Sequence, residues 1–147
     1  MKSLFDDQAF EEINRRLSAL EPDATPLWGK MSAGQMVWHC QFPLRIAIEN
    51  KDTEVGGNPL VRWFFKKSLY NDRPWRKNLP TAPMLKATEP KDFEREFPKL
   101  QQLIGDFHSL KHRGQWNPHP MFGSFTHGQW GQLQYKHLDH HLRQFGL

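Results

Sequence analysis

One cysteine, Cys40, is all this chain of 147 residues contains. An intrachain disulfide is therefore excluded, and the cysteine usage gives no sign of an oxidising compartment. Long apolar runs are missing as well: no stretch approaches the roughly 18 residues of a membrane-spanning helix. The opening MKSLFDDQAFEEINRRL is charged and amphipathic. It lacks the apolar core of a secretory signal, so the expected location is cytoplasmic. Strict apolar–polar alternation is nearly absent, which leaves little room for half-buried strands. The sequence also lacks a glycine-rich phosphate loop, a Ser-His-Asp order with local support and a His-Glu-x-x-His motif.

Apolar residues make up 37% and charged residues 24%, with six Trp and eleven Phe. That is enough for a single packed domain over residues 1–147. The net charge is +4, unevenly placed. From Arg62 to Lys77 six cations stand against Asp72 alone, so this window carries +5 and the remainder sums to −1.

Helical spacing predicts five segments. The first runs from about Leu4 to Leu20, with Phe10, Ile13, Leu17 and Leu20 on one face. The second opens on a capping box, Ser32 with Gln35, and runs to about Asn50 with a kink at Pro43. Gly56-Gly57-Asn58-Pro59 makes a turn, and a short third helix starts at Pro59 and reaches Leu69. The stretch NDRPWRKNLPTAPMLKATEP is a long proline-rich loop. The fourth helix covers about Pro90 to Leu110, with Pro98 expected to interrupt it. Thr126 and Gln129 cap the fifth, which ends near Phe145 with Gly146 as its C-cap. The class is all-α, and a four-helix bundle with one extra short helix is the economical architecture.

Three histidines crowd the last helix: His137, His140 and His141. On a wheel of about 100° per residue, His141 lies roughly 40° from His137, Trp130 about 20°, Phe145 near 80° and Leu138 near 100°. His137 and His141 thus share the inward stripe. His140 falls at the rim, about 60° the other way, and Asp139 and Arg143 face solvent. Two histidines at i and i+4 can reach one metal ion. His39, on a face with Met36, Pro43, Ile46 and Ala47 in the second helix, is the candidate third ligand. The plainer readings are chance clustering of surface histidines for the pair and a hydrogen-bonded core histidine for His39. His108 and His112 read as solvated at a helix C-terminus. His119 reads as a loop histidine bonded to backbone, or as lining a pocket mouth. Cys40 points about 100° away from His39 and reads as a small core residue.

The segments MSAGQMVWH and HLDHHLRQFG resemble the DinB/YfiT-like metalloenzyme superfamily. KNLPTAP and HPMFGSFTHGQW, with the closing HHLRQFG, are similar to its DUF1569 group. The resemblance runs from about Trp28 to the C-terminus. It implies a four-helix bundle, often dimeric, with a divalent metal ion, nickel or zinc, on His39, His137 and His141. It also implies thiol S-transferase or hydrolase chemistry on a small molecule, such as a low-molecular-weight thiol.

The leading expectation is a metal-dependent enzyme, with His140, Gln134, His119 or Trp130 near the site to orient substrate or ligand. Asp139 is a poor general base there. One rival is a non-catalytic bundle whose histidines are structural or bind metal only as a staple. The other is a single-strand nucleic-acid binder using the 62–77 window with Trp63, Phe64, Phe65, Tyr70 and Trp75. Against it, Trp63, Phe64 and Phe65 read as a buried helix face with Lys66 and Lys67 in solvent.

Overall fold

In a computed structural model, residues 1–52, 54–56, 58–79 and 86–147 are described, with the side chain of Val61 left aside. Among these residues six α-helices follow one another: α1 (Asp7–Leu17), α2 (Ala33–His39), α3 (Gln41–Glu49), α4 (Pro59–Lys66), α5 (Phe93–Ser109) and α6 (His127–Gln144). A 3-10 turn, Lys67–Leu69, extends α4. Among the described residues there is no strand, only an isolated bridge between His119 and Gly123. The all-α reading holds. No described helix is long and apolar enough to cross a membrane. Gly57 of the expected turn and residues 80–85 of the proline-rich stretch, including the PTAP of KNLPTAP, lie outside the described residues.

Both capping boxes form. Ser32 Oγ accepts from the Gln35 amide at 3.2 Å, and Gln35 Oε1 accepts from the Ser32 amide at 3.0 Å. Thr126 and Gln129 repeat the exchange at 3.2 and 2.9 Å. Four otherwise orphaned N–H groups are thereby satisfied. α6 stops where Gly146 turns left-handed at φ +78°, letting the Leu147 amide reach back to the Leu142 carbonyl at 3.1 Å.

The two helix-interior prolines behave differently. Pro43 has no N–H to give the His39 carbonyl, and its ring crowds that carbonyl. The chain answers by ending α2 at His39 and restarting at Gln41. Pro43 then falls in the first turn of α3, where a missing N–H costs nothing. Pro98 lies inside α5 without splitting it, contrary to expectation. The carbonyl it leaves unserved is that of Glu94, an exposed residue of the first turn that solvent can reach.

α2 and α3 pack against α5, while α1 and α3 pack against α6. Ile13 and Leu17, Met36 and Leu44, Leu100, Ile104 and Phe107, and Trp130 and Leu142 meet in the core. His108, expected in solvent, instead lies half-buried. It stacks on Phe10 at 4.1 Å, hydrogen-bonds the Leu4 carbonyl at 2.8 Å and meets Asp7 at 3.1 Å. His112 is exposed. Asp139 is also not free in solvent: Arg16 crosses from α1 to bind its Oδ1 at 2.8 Å and the Leu147 carbonyl at 3.0 Å.

The largest departure is α4. Trp63 is 73% exposed, Phe64 69% and Phe65 56%, so the face expected to be buried is bare. Lys67 is exposed as expected, but Lys66 is half-buried. It folds over the Phe125 ring at 4.9 Å and donates to the Ser124 carbonyl. A one-sided apolar face requires a cover in principle, and this chain supplies none for α4 among its described residues.

Candidate metal centre

His39 is the last residue of α2, set there by the break that Pro43 forces. His137 and His141 stand one turn apart on α6, on the same side. The packing of these helices brings the three rings together, with centroids 5.1 Å (His39–His137), 4.8 Å (His39–His141) and 4.7 Å (His137–His141) apart. His39 Nε2 lies 3.1 Å from His137 Nε2. One ligand atom from each residue lies within 4.8 Å of the others, and all three side chains are buried. Two imidazole nitrogens on one zinc-like ion, each about 2.0–2.1 Å from it, would sit roughly 3.0–3.4 Å apart. The 3.1 Å pair already meets that requirement. The third nitrogen needs a shift of roughly 1.5 Å, within the reach of a side-chain rotation. The three buried histidines can therefore hold a metal ion.

The protonation of His141 follows from its neighbours. Gln144 Nε2 donates to the Trp28 carbonyl at 2.8 Å, and that carbonyl can only accept. This fixes the amide's orientation and turns Gln144 Oε1 to His141 Nδ1 at 2.9 Å. Nδ1 must then carry the proton, leaving Nε2 with its lone pair, as a metal ligand requires. Burial, with His39 nearby, pushes His141 down to about 3. Burial, then His141 and His39, holds His137 well below the usual imidazole range. Both rings are neutral at physiological pH and ready to bind metal. His137 Nδ1 has no hydrogen-bond partner among the described residues.

Gln144 escaped the sequence reading, although it sits three residues after His141 on the same helix. Replacing it by leucine is expected to free the His141 ring and lower metal affinity about tenfold to a hundredfold, measured by competition with a chromophoric chelator.

The other expected neighbours divide into two groups. His140 is half-buried at the outer edge, with its ring 5.2 Å from His141, 5.5 Å from Trp75 and 5.9 Å from Trp28. Trp75 also meets the His137 ring at 5.9 Å. Sequence reasoning gave Trp75 to a nucleic-acid surface and gave Trp28 no role at all. Gln134 is fully buried one turn before His137 and ties α6 to α3 by donating to the Pro43 carbonyl at 2.9 Å. Trp130 and His119 are not brought to the three histidines. They pack on each other at 5.6 Å and both meet Phe125. His119 Nδ1 accepts from the Met121 amide at 3.0 Å, and burial lowers its pKa to about 4. Cys40 is turned to Met36 Sδ at 3.6 Å, and burial pushes its thiol up. It is a protonated core residue, not a thiolate ligand.

Among the described residues no carboxylate joins the trio, so its donor set is three imidazole nitrogens. Borderline divalent ions accept such a set and keep further coordination positions open. Comparison with curated proteins and with solved structures finds no significant match. The family of unknown function DUF1569 matches residues 3–146, nearly the whole chain, and the chain belongs to that family.

Proposed function

We propose that this protein holds one divalent metal ion, nickel or zinc, on His39, His137 and His141 and acts as a metal-dependent enzyme on a small molecule. The observation that carries the reading is the convergence of three buried imidazoles from two helices. Bound there, the ion supplies Lewis acidity, lowering the pKa of a water or a low-molecular-weight thiol toward neutrality. Gln144 orients His141 and fixes its tautomer. Trp28 and Trp75 wall the outer side and limit water access. The reaction is transfer to or from such a thiol, or hydrolysis. In this reading α1, α2 with α3, α5 and α6 are the four members of a DinB/YfiT-like bundle, α4 is the extra short helix, and the protein works in the cytoplasm.

Metal content of untagged protein tests it. About one ion per chain is expected, falling below a tenth in His39→Ala and in His137→Ala. Unchanged content in either variant would refute the ligand set. Cobalt substitution separates enzyme from structural staple: an absorption change on adding a thiol marks an open position, and an unresponsive spectrum marks a closed site.

The bare face of α4 favours a second reading. Trp63, Phe64 and Phe65 are exposed beside Arg62 and Lys67, an arrangement suited to stacking single-stranded bases beside cationic side chains. It predicts salt-dependent binding of a labelled oligonucleotide, weakened about tenfold or more by Trp63→Ala. Binding that ignores Trp63 or salt would dismiss it.

A further inference from the structure

Beside the three histidines lies a cleft of roughly 60 Å³, walled by Trp28, Trp75 and His140. Lys77, Lys136 and Arg143 bring three positive charges to it, and Asp139 one negative. That carboxylate is already committed, because Arg16 holds its Oδ1 at 2.8 Å and Arg143 stands 3.8 Å from its Oδ2. Lys77 lies 4.8 Å over the Trp28 ring.

Lys136 is the informative member. It is buried, and its ammonium gives hydrogen bonds to the Ser68 carbonyl (2.6 Å), the Asn71 carbonyl (2.8 Å) and Asn71 Oδ1 (2.7 Å). All three acceptors are uncharged. The carboxylate of Asp72 acts on it only through space and is itself paired with the N-terminal ammonium at 3.1 Å. Among the described residues this ammonium hydrogen-bonds only to neutral oxygens, so its charge is compensated only in part, which is costly in a low-dielectric setting. An anion in the cleft offsets it.

We propose that this cleft binds the carboxylate or phosphate group of a small anionic substrate and presents the substrate's other end to His39, His137 and His141. The space takes one such group or a few waters, not a fused ring system. The anchoring wall, His140, is 5.2 Å from His141 between ring centroids, so a chain of a few atoms spans from anchor to centre. The two indoles lower the local dielectric on one side of the anchored group, which strengthens its attraction to the buried Lys136. The second half of this inference rests on the metal-enzyme reading. The anion site does not.

The test is a titration of the full ¹⁵N-labelled chain with succinate, inorganic phosphate and, as the neutral counterpart, succinamide, with and without zinc. Succinate and phosphate are expected to shift the Trp28 and Trp75 indole N–H signals saturably in the millimolar range, and succinamide is not. The exposed pair Lys77→Ala with Arg143→Ala should weaken anion binding about tenfold or more while zinc content and helicity stay unchanged. Equal binding of succinamide, an unaffected double variant, or no shift at tens of millimolar anion would each overturn the site. Anion binding in a chain that takes no zinc would keep the anchor and remove its partner centre. Zinc uptake without anion binding would do the reverse.

Discussion

Replacing Gly34 by alanine should destabilise this protein by about 3 kcal/mol, although alanine is the better helix former by about 1 kcal/mol. A Cβ at Gly34 would lie 2.1 Å from the Lys91 carbonyl oxygen, 3.0 Å from its carbon and 3.3 Å from the Phe93 nitrogen. These are backbone atoms, which cannot swing aside. The segment is pinned, because Gln35 Nε2 donates to the Ala87 and Glu89 carbonyls at 3.0 Å each. α2 must lift away from the start of α5, and His39 rides on α2. The internal control is Gly105 in the middle of α5, where nothing lies within 4 Å of an added Cβ. There the same substitution should stabilise by up to about 1 kcal/mol. Urea midpoints of the two variants give opposite signs if the crossing of α2 with residues 91–93 is as close as described. Matching signs would refute it.

A second large effect is expected in acid. His119 and His141 titrate near 4 and near 3 in the folded chain, and His137 is also depressed. In an unfolded chain all three take protons near pH 6.5. Their contribution is therefore complete above pH 6.5 and is lost as pH falls toward the folded values. His119 and His141 alone lower stability by about 2.7 kcal/mol per pH unit, or about 4 kcal/mol by pH 5. Against a typical stability of 5–15 kcal/mol, that loss is a quarter or more of the total, so metal-free protein should unfold at markedly lower denaturant at pH 5 than at pH 7. The carboxylates Glu12 and Glu96, both depressed by their lysine and hydrogen-bond partners against the opposing effect of burial, add their loss only below the carboxylate range. Denaturant unfolding at several pH values measures the slope. His119→Phe should flatten it by about 1.4 kcal/mol per pH unit, and an unchanged slope would contradict the assignment.

The sequence carried the histidine trio because both of its halves are local patterns. A spacing of four on a capped helix puts His137 and His141 on one side, and the apolar neighbours of His39 turn it inward. What joined them to their surroundings was not local. Gln144 acts through the backbone carbonyl of Trp28, 116 residues away, and Arg16 reaches Asp139 over 123. No side-chain periodicity encodes where a loop carbonyl lies. α4 failed for a different reason. Its aromatic spacing correctly marks one apolar face, but a face does not say what covers it. The prolines were half legible: each announced a fault, and only the packing around His39 and Glu94 decided which fault broke the helix.

The 3.1 Å approach of His39 to His137 spans 98 residues of chain. An ion shared by the two would close that loop as a covalent bridge does. By loop entropy alone, a closure of this length removes on the order of 4.7 kcal/mol of freedom from the unfolded chain. Unlike a disulfide, such a tie needs no oxidant and opens to a chelator or to acid. A protein with a single buried thiol would thus acquire a removable cross-link, and its resistance to unfolding would track the metal supply of its surroundings.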